Sequence, residues 1–189
     1  LHNILINSIM IRRLKENVLP QLPEKTRTII PIALNGFQKE YKKAKDDFIN
    51  WLEEEKGIDA ARRAATAETL AQIEALKQLA VKAKIEKTID WIENFIDSGQ
   101  KLVVFAWHKS VIEILLEKFK TIAVKIDGST SAEDKDKAVQ DFQNNPDIKL
   151  FIGNIKTART GLTLTAASSV LFLEVGWTPE EHDQAEDRC

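Results

Sequence analysis

The sequence contains a single cysteine, Cys189, among 189 residues, which excludes an internal disulfide framework and a multi-cysteine zinc site. No apolar run approaches the roughly 20 residues that a membrane-spanning helix needs, and the first residues lack a signal-peptide pattern. Glycine and proline are scarce, at 7 and 5 residues, which excludes collagen-like and low-complexity chains. The composition is typical of a soluble globular protein in a reducing compartment.

Several motifs that would identify an enzyme directly are also missing. No G-x-x-x-x-G-K-[ST] phosphate loop occurs, so the chain has no evident means of holding the β- and γ-phosphates of a nucleotide by itself. Neither a G-x-G-x-x-G dinucleotide fingerprint nor a serine nucleophile elbow is found. The three histidines, His2, His108 and His182, are far apart and form no i, i+4 pair, so we expect no metal site.

The formal net charge is only -2, but its distribution along the chain is uneven. Residues 11–45 carry nine Lys or Arg against three Glu, whereas residues 174–189 carry six Asp or Glu against Arg188 alone. This asymmetry is compatible with a basic face for phosphates on an otherwise acidic body. Ordinary solvated helix faces are an equally good explanation.

The part of the chain before Gly99 has the pattern of long helices. Its first 36 residues are interrupted by three prolines, which disfavour a continuous helix, and we interpret them as a connecting segment. From Phe37 apolar residues recur every three or four positions, which predicts one helix ending near Gly57. A second helical region ends at Gly99, so residues 37–98 are predicted to form a helical subdomain.

After Gly99 short apolar runs alternate with helical segments of about a dozen residues, which is typical of a parallel sheet. The predicted strands are 102–106, 122–126, 148–152 and 170–173. Their near-continuous apolar character favours burial on both faces. Thr178, Pro179 and Glu181 fit a capping box and predict a final helix. A doubly wound sheet binds ligands where its strands end, so the polar clusters after these strands should share one edge.

The order of short motifs along the chain resembles the C-terminal half of Swi/Snf-type ATPases, particularly their annealing-helicase-like branch. The segments that carry the resemblance are Ile11–Leu19 with Leu22–Lys25, Gln38–Tyr41, Lys101–His108, Ile126–Ser131 with Val139 and Phe142–Gln143, Asn154–Ala167, and Gln184–Cys189. Each match is weak alone, whereas their order and spacing are specific. The resemblance implies an α/β fold of the P-loop NTPase superfamily. Residues 99–189 would be a RecA-like second helicase lobe, residues 37–98 a helical protrusion, and residues 1–36 a linker from the first lobe.

The chain departs from the family pattern at several positions, and Gln38 and Tyr41 are one residue closer together than in the family. Lys135 stands where the family usually has Arg, which keeps the charge but loses bidentate recognition. Residues 157–160 replace a more usual Ala-Gly-Gly-x, which removes two glycines from a loop that closely approaches a ligand. The last motif in the family continues with a second Arg, so we expect the natural protein to extend beyond Cys189.

Motor ATPases of this architecture bind ATP with Mg²⁺ between two lobes, and the resemblance implies that the first lobe holds most of it. Arg188 is then the candidate catalytic residue, because a guanidinium facing the γ-phosphate neutralises charge that develops in the transition state. Gln184 is expected at the same interface. The backbone of Gly161 and Thr163 is expected to bind phosphate or to couple the two sites. The alternatives are a surface arginine paired with a neighbouring carboxylate and a simple tight turn.

The resemblance also implies contacts with the backbone of double-stranded DNA. The candidate residues are Arg12, Arg13, Trp107, His108, Lys109, Gly128, Ser129 and Thr130. Small donors at a helix start suit a phosphate, and residues 107–109 could act by stacking and charge. Helix capping, loop packing and local ion pairs are the competing explanations. None of these residues is suited to reading base edges, so we expect sequence-independent tracking.

The sequence therefore predicts the C-terminal motor lobe of an ATP-dependent double-stranded DNA translocase or remodeller, inactive without its first lobe. The leading alternative is a noncatalytic nucleic-acid or protein-interaction module on a degenerate lobe. A cofactor-binding or nucleotide-sugar-binding Rossmann-type domain is a further one. We expect the first lobe of the same protein as a partner, no membrane partner, and a cytoplasmic or nucleoid location in a prokaryote or a nuclear one in a eukaryote.

Overall fold

A computed structural model of the chain describes residues 24–33, 36–65, 68–157, 161–174, 176 and 178–189. The chain divides into two compact units, 1–31 and 32–189. In the first unit, residues 24–31 are exposed and adopt neither helix nor strand. Most of the predicted linker, including Arg12 and Arg13, lies outside the described residues.

The second unit opens with a helical segment that precedes the sheet, as predicted. Its helices are α1 (Gln38–Asp46), α2 (Phe48–Lys56), α3 (Ile58–Ala65) and α4 (Glu68–Asp97). The prediction of one continuous helix up to Gly57 was wrong, because the backbone of Asp47 leaves the helical region at φ -145° and ψ 68°. The Asp47 carboxylate accepts a hydrogen bond from Asn50 Nδ2 at 2.8 Å.

The helical segment has its own apolar cluster. Its buried members are Ala44, Phe48, Trp51, Leu52 and Leu79. Helix α4 contributes to this cluster with its first half and packs against the sheet with its second half, from Val81 onward. Among the helices of the described ranges, none combines the length and apolar character needed to cross a bilayer.

The remaining elements alternate between strands and helices. They are β1 (Leu102–Ala106), α5 (Lys109–Phe119), β2 (Ala123–Ile126), α6 (Ala132–Asn144), β3 (Leu150–Asn154), β4 (Ser169–Phe172) and α7 (Pro179–Glu186). The strands form one sheet in the order β2-β3-β1-β4, and every pairing is parallel. The predicted parallel α/β sheet is therefore confirmed.

Two details of the strand prediction were wrong. Strand β3 begins two residues later than predicted, because Ile148 still belongs to the turn after α6 and donates its N–H to Asn145 O at 3.3 Å. Strand β4 is only half-buried along its length, unlike the fully buried β1. Within the described part of the chain it lies at the edge of the sheet and pairs with β1 alone, so its apolar run did not indicate cover on both faces.

The two faces of the sheet are covered by different helices. Leu102, Val104 and Ala106 of β1 face a cluster built with α4 and α5, whereas Val103 and Phe105 face one that includes residues of α6, α7 and the loop after β3. This alternation is the period of two expected of a strand. Helices on both faces leave the ends of the strands as the open rim of the sheet.

Candidate functional site at the carboxyl edge of the sheet

Because all four strands are parallel, the segments that follow them lie along one edge of the sheet. The chain continues from the strands into Trp107–His108 after β1, Asp127–Thr130 after β2, the loop to Ala167 after β3, and Leu173–Glu174 after β4. The predicted clusters therefore share one edge, as the strand pattern indicated.

The end of β1 is held by a buried carboxylate from the end of β4. Glu174 is 4% exposed, and its Oε2 accepts hydrogen bonds from the backbone N–H groups of Trp107 and His108, both at 2.8 Å. On the other side of β1, Asn154 Nδ2 donates to Trp107 O at 2.7 Å. Buried backbone N–H groups need such partners, so Glu174 fixes how the chain leaves β1.

His108 is enclosed between two carboxylates. Its Nδ1 contacts Glu174 Oε1, its Nε2 contacts Glu74 Oε1 of α4 at 2.6 Å, and its side chain is 13% exposed. Both ring nitrogens of His108 are therefore engaged within the chain, and a contact of His108 with DNA stays a prediction. The carboxylates lie on opposite ring nitrogens and do not converge, and no cluster suited to a metal ion occurs among the residues that the structure describes.

Trp107 is half-buried, and the ammonium groups of two lysines lie close to its ring. Lys156 Nζ is 4.3 Å and Lys77 Nζ is 5.6 Å from the ring centroid, within the range of cation–π attraction. Lys109 is exposed and faces Glu113 on the next helical turn at 3.8 Å. Sequence analysis missed Lys77 and Lys156, since neither is close to Trp107 along the chain.

The turn after β2 is organised around Asp127, which is 4% exposed. One carboxylate oxygen accepts hydrogen bonds from Ser129 Oγ at 2.6 Å and from Ser129 N at 2.9 Å. Asp127 N donates to Thr130 Oγ1 at 2.9 Å. The polar groups of Ser129 and the hydroxyl of Thr130 therefore form hydrogen bonds within the turn itself. Gly128 and Ser129 remain exposed at the start of α6, where Ser131 Oγ accepts from Asp134 N at 3.1 Å as the predicted cap.

The hydrogen bonds from Ser129, with a further contribution from Lys125, outweigh the effect of burial and hold the pKa of Asp127 well below its ordinary value. A carboxylate with a depressed pKa stabilises the fold above its unfolded pKa of about 3.9, and this contribution is lost as the pH falls below it.

We expect Asp127→Asn to lower the free energy of unfolding at pH 7, with the deficit shrinking between about pH 5 and pH 3. Urea unfolding across that range checks this. Asp136→Asn, an exposed site on α6, is the matched control, and a pH-independent deficit for Asp127→Asn would contradict the assignment.

The loop after β3 is held by a side chain from α6. Gln143 Nε2 donates to Thr163 O at 2.7 Å, and Gln143 Oε1 accepts from Ala166 N at 2.9 Å. Gly161 adopts φ +69°, the left-handed region that favours glycine. Gly161 and Thr163 are exposed, whereas the neighbouring Leu164 is fully buried. The loop therefore presents its backbone at the edge while its apolar residue anchors it.

The same loop is joined to the end of α7. Leu164 N donates to Arg188 O at 2.8 Å, and both Gln184 and Arg188 are half-buried. The predicted capping box is confirmed at the start of α7, where Thr178 N reaches Glu181 Oε2 at 3.5 Å. The structure thus brings the Gly161–Thr163 stretch and Arg188 together. Gly128 follows the outermost strand β2 on the same edge.

Two residues at this edge were missed by sequence analysis although they organise it. Asp127 directly follows β2, Glu174 lies two residues beyond the end of β4, and both are almost fully buried. An acidic residue immediately after an apolar strand was the available signal, because a carboxylate there can accept the N–H groups of a neighbouring loop.

Residues 83–189 match the family described as the helicase conserved C-terminal domain. The match begins within α4, ahead of the predicted boundary at residue 99. Over 98% of its length the chain is 36% identical to the human protein named DNA annealing helicase and endonuclease ZRANB3, of which it spans 17%. It is 34% identical, over 98% of its length, to a Xenopus tropicalis SWI/SNF-related matrix-associated actin-dependent regulator of chromatin subfamily A-like protein 1, of which it spans 19%.

Solved structures share the fold. The Sulfolobus solfataricus SWI2/SNF2 ATPase core domain superposes with a TM-score of 0.68 at 21% identity, over 98% of this chain and 42% of that one. The same organism's SWI2/SNF2 ATPase core in complex with dsDNA gives 0.59 at 24% identity, over 79% of this chain and 34% of that one. The chain is therefore similar to one part of each of these longer proteins.

Proposed function

This chain belongs to the family described as the helicase conserved C-terminal domain, and we propose that it is the second motor lobe of a Swi/Snf-type, ATP-dependent double-stranded DNA translocase, which its similarity to a SWI/SNF-related protein supports. The observation that supports this best is the bond from Leu164 N to Arg188 O, 2.8 Å long. It joins the backbone next to Thr163 to the backbone of Arg188, which supports the proposal that the loop after β3 and the end of α7 act together. In this proposal, the loop after β3 and the end of α7 together supply this lobe's half of an ATP site that is shared with the first lobe.

The nucleotide half of the proposal rests on Arg188, Gln184 and the backbone of Gly161 and Thr163. The sequence has no phosphate loop, so the phosphate and magnesium ligands are assigned to the first lobe. Magnesium neutralises charge on the phosphates when it is bound there. The chain's own contribution is a guanidinium at the end of α7 that reaches the γ-phosphate when the lobes close, which makes turnover depend on closure.

The DNA half of the proposal rests on the cations beside Trp107 and on the start of α6. Lys156, Lys77 and Lys109 supply positive charge near the end of β1. Gly128 and Ser129 are exposed at the N-terminus of α6, where the helix dipole favours a phosphate. Arg12 and Arg13 of the predicted linker are also proposed to contact the DNA backbone. Such contacts carry no base information, which suits a motor that steps along any sequence inside the nucleus or nucleoid.

The test is ATP hydrolysis by the full-length protein with and without double-stranded DNA. We expect duplexes of unrelated sequence to stimulate hydrolysis equally, because the proposed contacts are with phosphates. We expect no turnover from residues 1–189 alone, since the first lobe carries most of the nucleotide site. A full-length protein that binds DNA without hydrolysing ATP would instead indicate a noncatalytic module.

A further inference from the structure

Three charged residues of α4 reach the carboxyl edge of the sheet. Glu74 Oε1 is 2.6 Å from His108 Nε2, Lys77 Nζ is 5.6 Å from the ring centroid of Trp107, and Lys84 Nζ donates to Leu173 O. The first two positions are three residues apart and the third is ten residues beyond Glu74, which places all three on one broad side of the helix. Helix α4 is therefore connected to the ends of both β1 and β4.

The connection through Glu74 is continuous from α4 to β4. His108 contacts Glu74 with one ring nitrogen and Glu174 with the other. Glu174 in turn accepts the backbone N–H groups of Trp107 and His108. We call this series of side-chain contacts, from Glu74 through His108 to Glu174, the strut. It ties the helix that leaves the helical segment to the residues that immediately follow β1.

Helix α4 is suited to transmit movement because it is one uninterrupted helix of 30 residues. Its first half is anchored in the helical segment by Leu79, which packs in the same buried cluster as Phe48 and Trp51. Farther along α4, Val81 and Ile92 belong to the same buried cluster as Leu102 and Val104 of β1. We therefore expect a displacement of the helical segment to be transmitted along α4 to the carboxyl edge of the sheet. Glu74 of α4 contacts His108 at that edge.

We propose that Glu74 is a positioning residue that acts through His108, and that the strut couples the helical segment to the DNA-facing end of β1. This role rests on the proposed function. Lys156 and Lys77 lie on Trp107, the residue next to His108. Movement of the strut changes where these cations sit, and hence how the lobe holds a DNA phosphate when ATP is consumed.

The first experiment measures coupling in the full-length protein, as third strands displaced from a DNA triplex per ATP hydrolysed. We expect Glu74→Ala to leave DNA-stimulated hydrolysis within about twofold of the parent but to lower displacement per ATP by about fivefold or more, the lower end of typical coupling between sites. Glu74→Gln retains an acceptor with the same reach and should keep coupling near that of the parent. Glu86→Ala, an exposed glutamate on the same helix, is the matched control. An unchanged ratio for Glu74→Ala overturns the proposal.

The second experiment tests the strut independently of any motor activity, by a double-mutant cycle on unfolding. His108→Asn keeps a donor in place of Nδ1 but cannot reach Glu74. We expect Glu74→Ala and His108→Asn each to lower the folding equilibrium constant about tenfold, and the double variant to add little to either. Fully additive changes overturn the strut itself. If the parent protein shows no DNA-stimulated ATP hydrolysis, both the proposed function and the coupling role of Glu74 are contradicted. The double-mutant cycle still tests whether Glu74 and His108 interact, because it measures unfolding only.

Discussion

Arg188→Ala in the full-length protein is expected to lower DNA-stimulated ATP hydrolysis by about 10³-fold or more, the effect typical of removing a guanidinium that stabilises phosphoryl transfer. The physical reason is that negative charge develops on the phosphoryl oxygens in the transition state, and a fixed cation there stabilises the transition state more than the bound substrate. Since Arg188 contacts the Gly161 loop through its backbone carbonyl, the substitution keeps that bond. The rate of ATP hydrolysis at saturating DNA is the measurement.

Two further variants separate this role from a structural one. Arg188→Lys keeps the charge but not the planar fork, so we expect an intermediate loss of rate. Lys120→Ala removes an exposed cation at the end of α5, next to the edge where the strands begin, and should leave the rate unchanged. Matching unfolding curves for parent and Arg188→Ala establish that the fold is intact. An Arg188→Ala protein with near-parental turnover would remove Arg188 from the ATP site.

Glu174→Ala is expected to lower the free energy of unfolding by about 3–5 kcal/mol, because each buried donor left without an acceptor costs about 1–3 kcal/mol. Glu174 accepts two backbone N–H groups and contacts His108, so its loss leaves three donors at the end of β1 without this acceptor. Burial lowers the pKa of Lys84, and Glu174 partly offsets that effect. Without Glu174, the half-buried ammonium group of Lys84 also loses the attraction that partly offsets the cost of its burial.

Urea unfolding of the parent and the variant measures this cost. Glu174→Gln retains one acceptor oxygen and should cost less than the alanine variant. Glu86→Ala, which removes an exposed carboxylate from α4, should change stability by less than about 0.5 kcal/mol. A Glu174→Ala protein as stable as the parent would mean that the end of β1 is held by other contacts.

The elements that sequence reasoning placed well are those determined by local chemistry. The apolar run Leu102–Ala106 could be read as a strand because it is continuous and short. Gly57 and Gly99 both follow helices with positive φ, as glycine at a helix stop should. The capping box at Thr178 is likewise set within four residues. Local rules were sufficient for these elements, although they missed the break at Asp47, which is also set by residues close along the chain.

The contacts that sequence reasoning missed join residues far apart along the chain. His108 is 34 residues from Glu74 and 66 from Glu174, and no periodicity connects these three positions. The edge position of β4 follows from the strand order, which its apolar composition does not encode. The roles of Arg188 and Gly161 came from the resemblance to a family. The fold brings those two residues to one edge, and their chemistry remains a proposal.

The most direct test is a structure of the full-length protein bound to double-stranded DNA and a non-hydrolysable ATP analogue. The proposal predicts the guanidinium of Arg188 within hydrogen-bonding distance of the γ-phosphate, with a DNA strand passing the end of β1 and the start of α6. A nucleotide held entirely by the first lobe, with Arg188 turned away while DNA is bound and the lobes are closed, would contradict it.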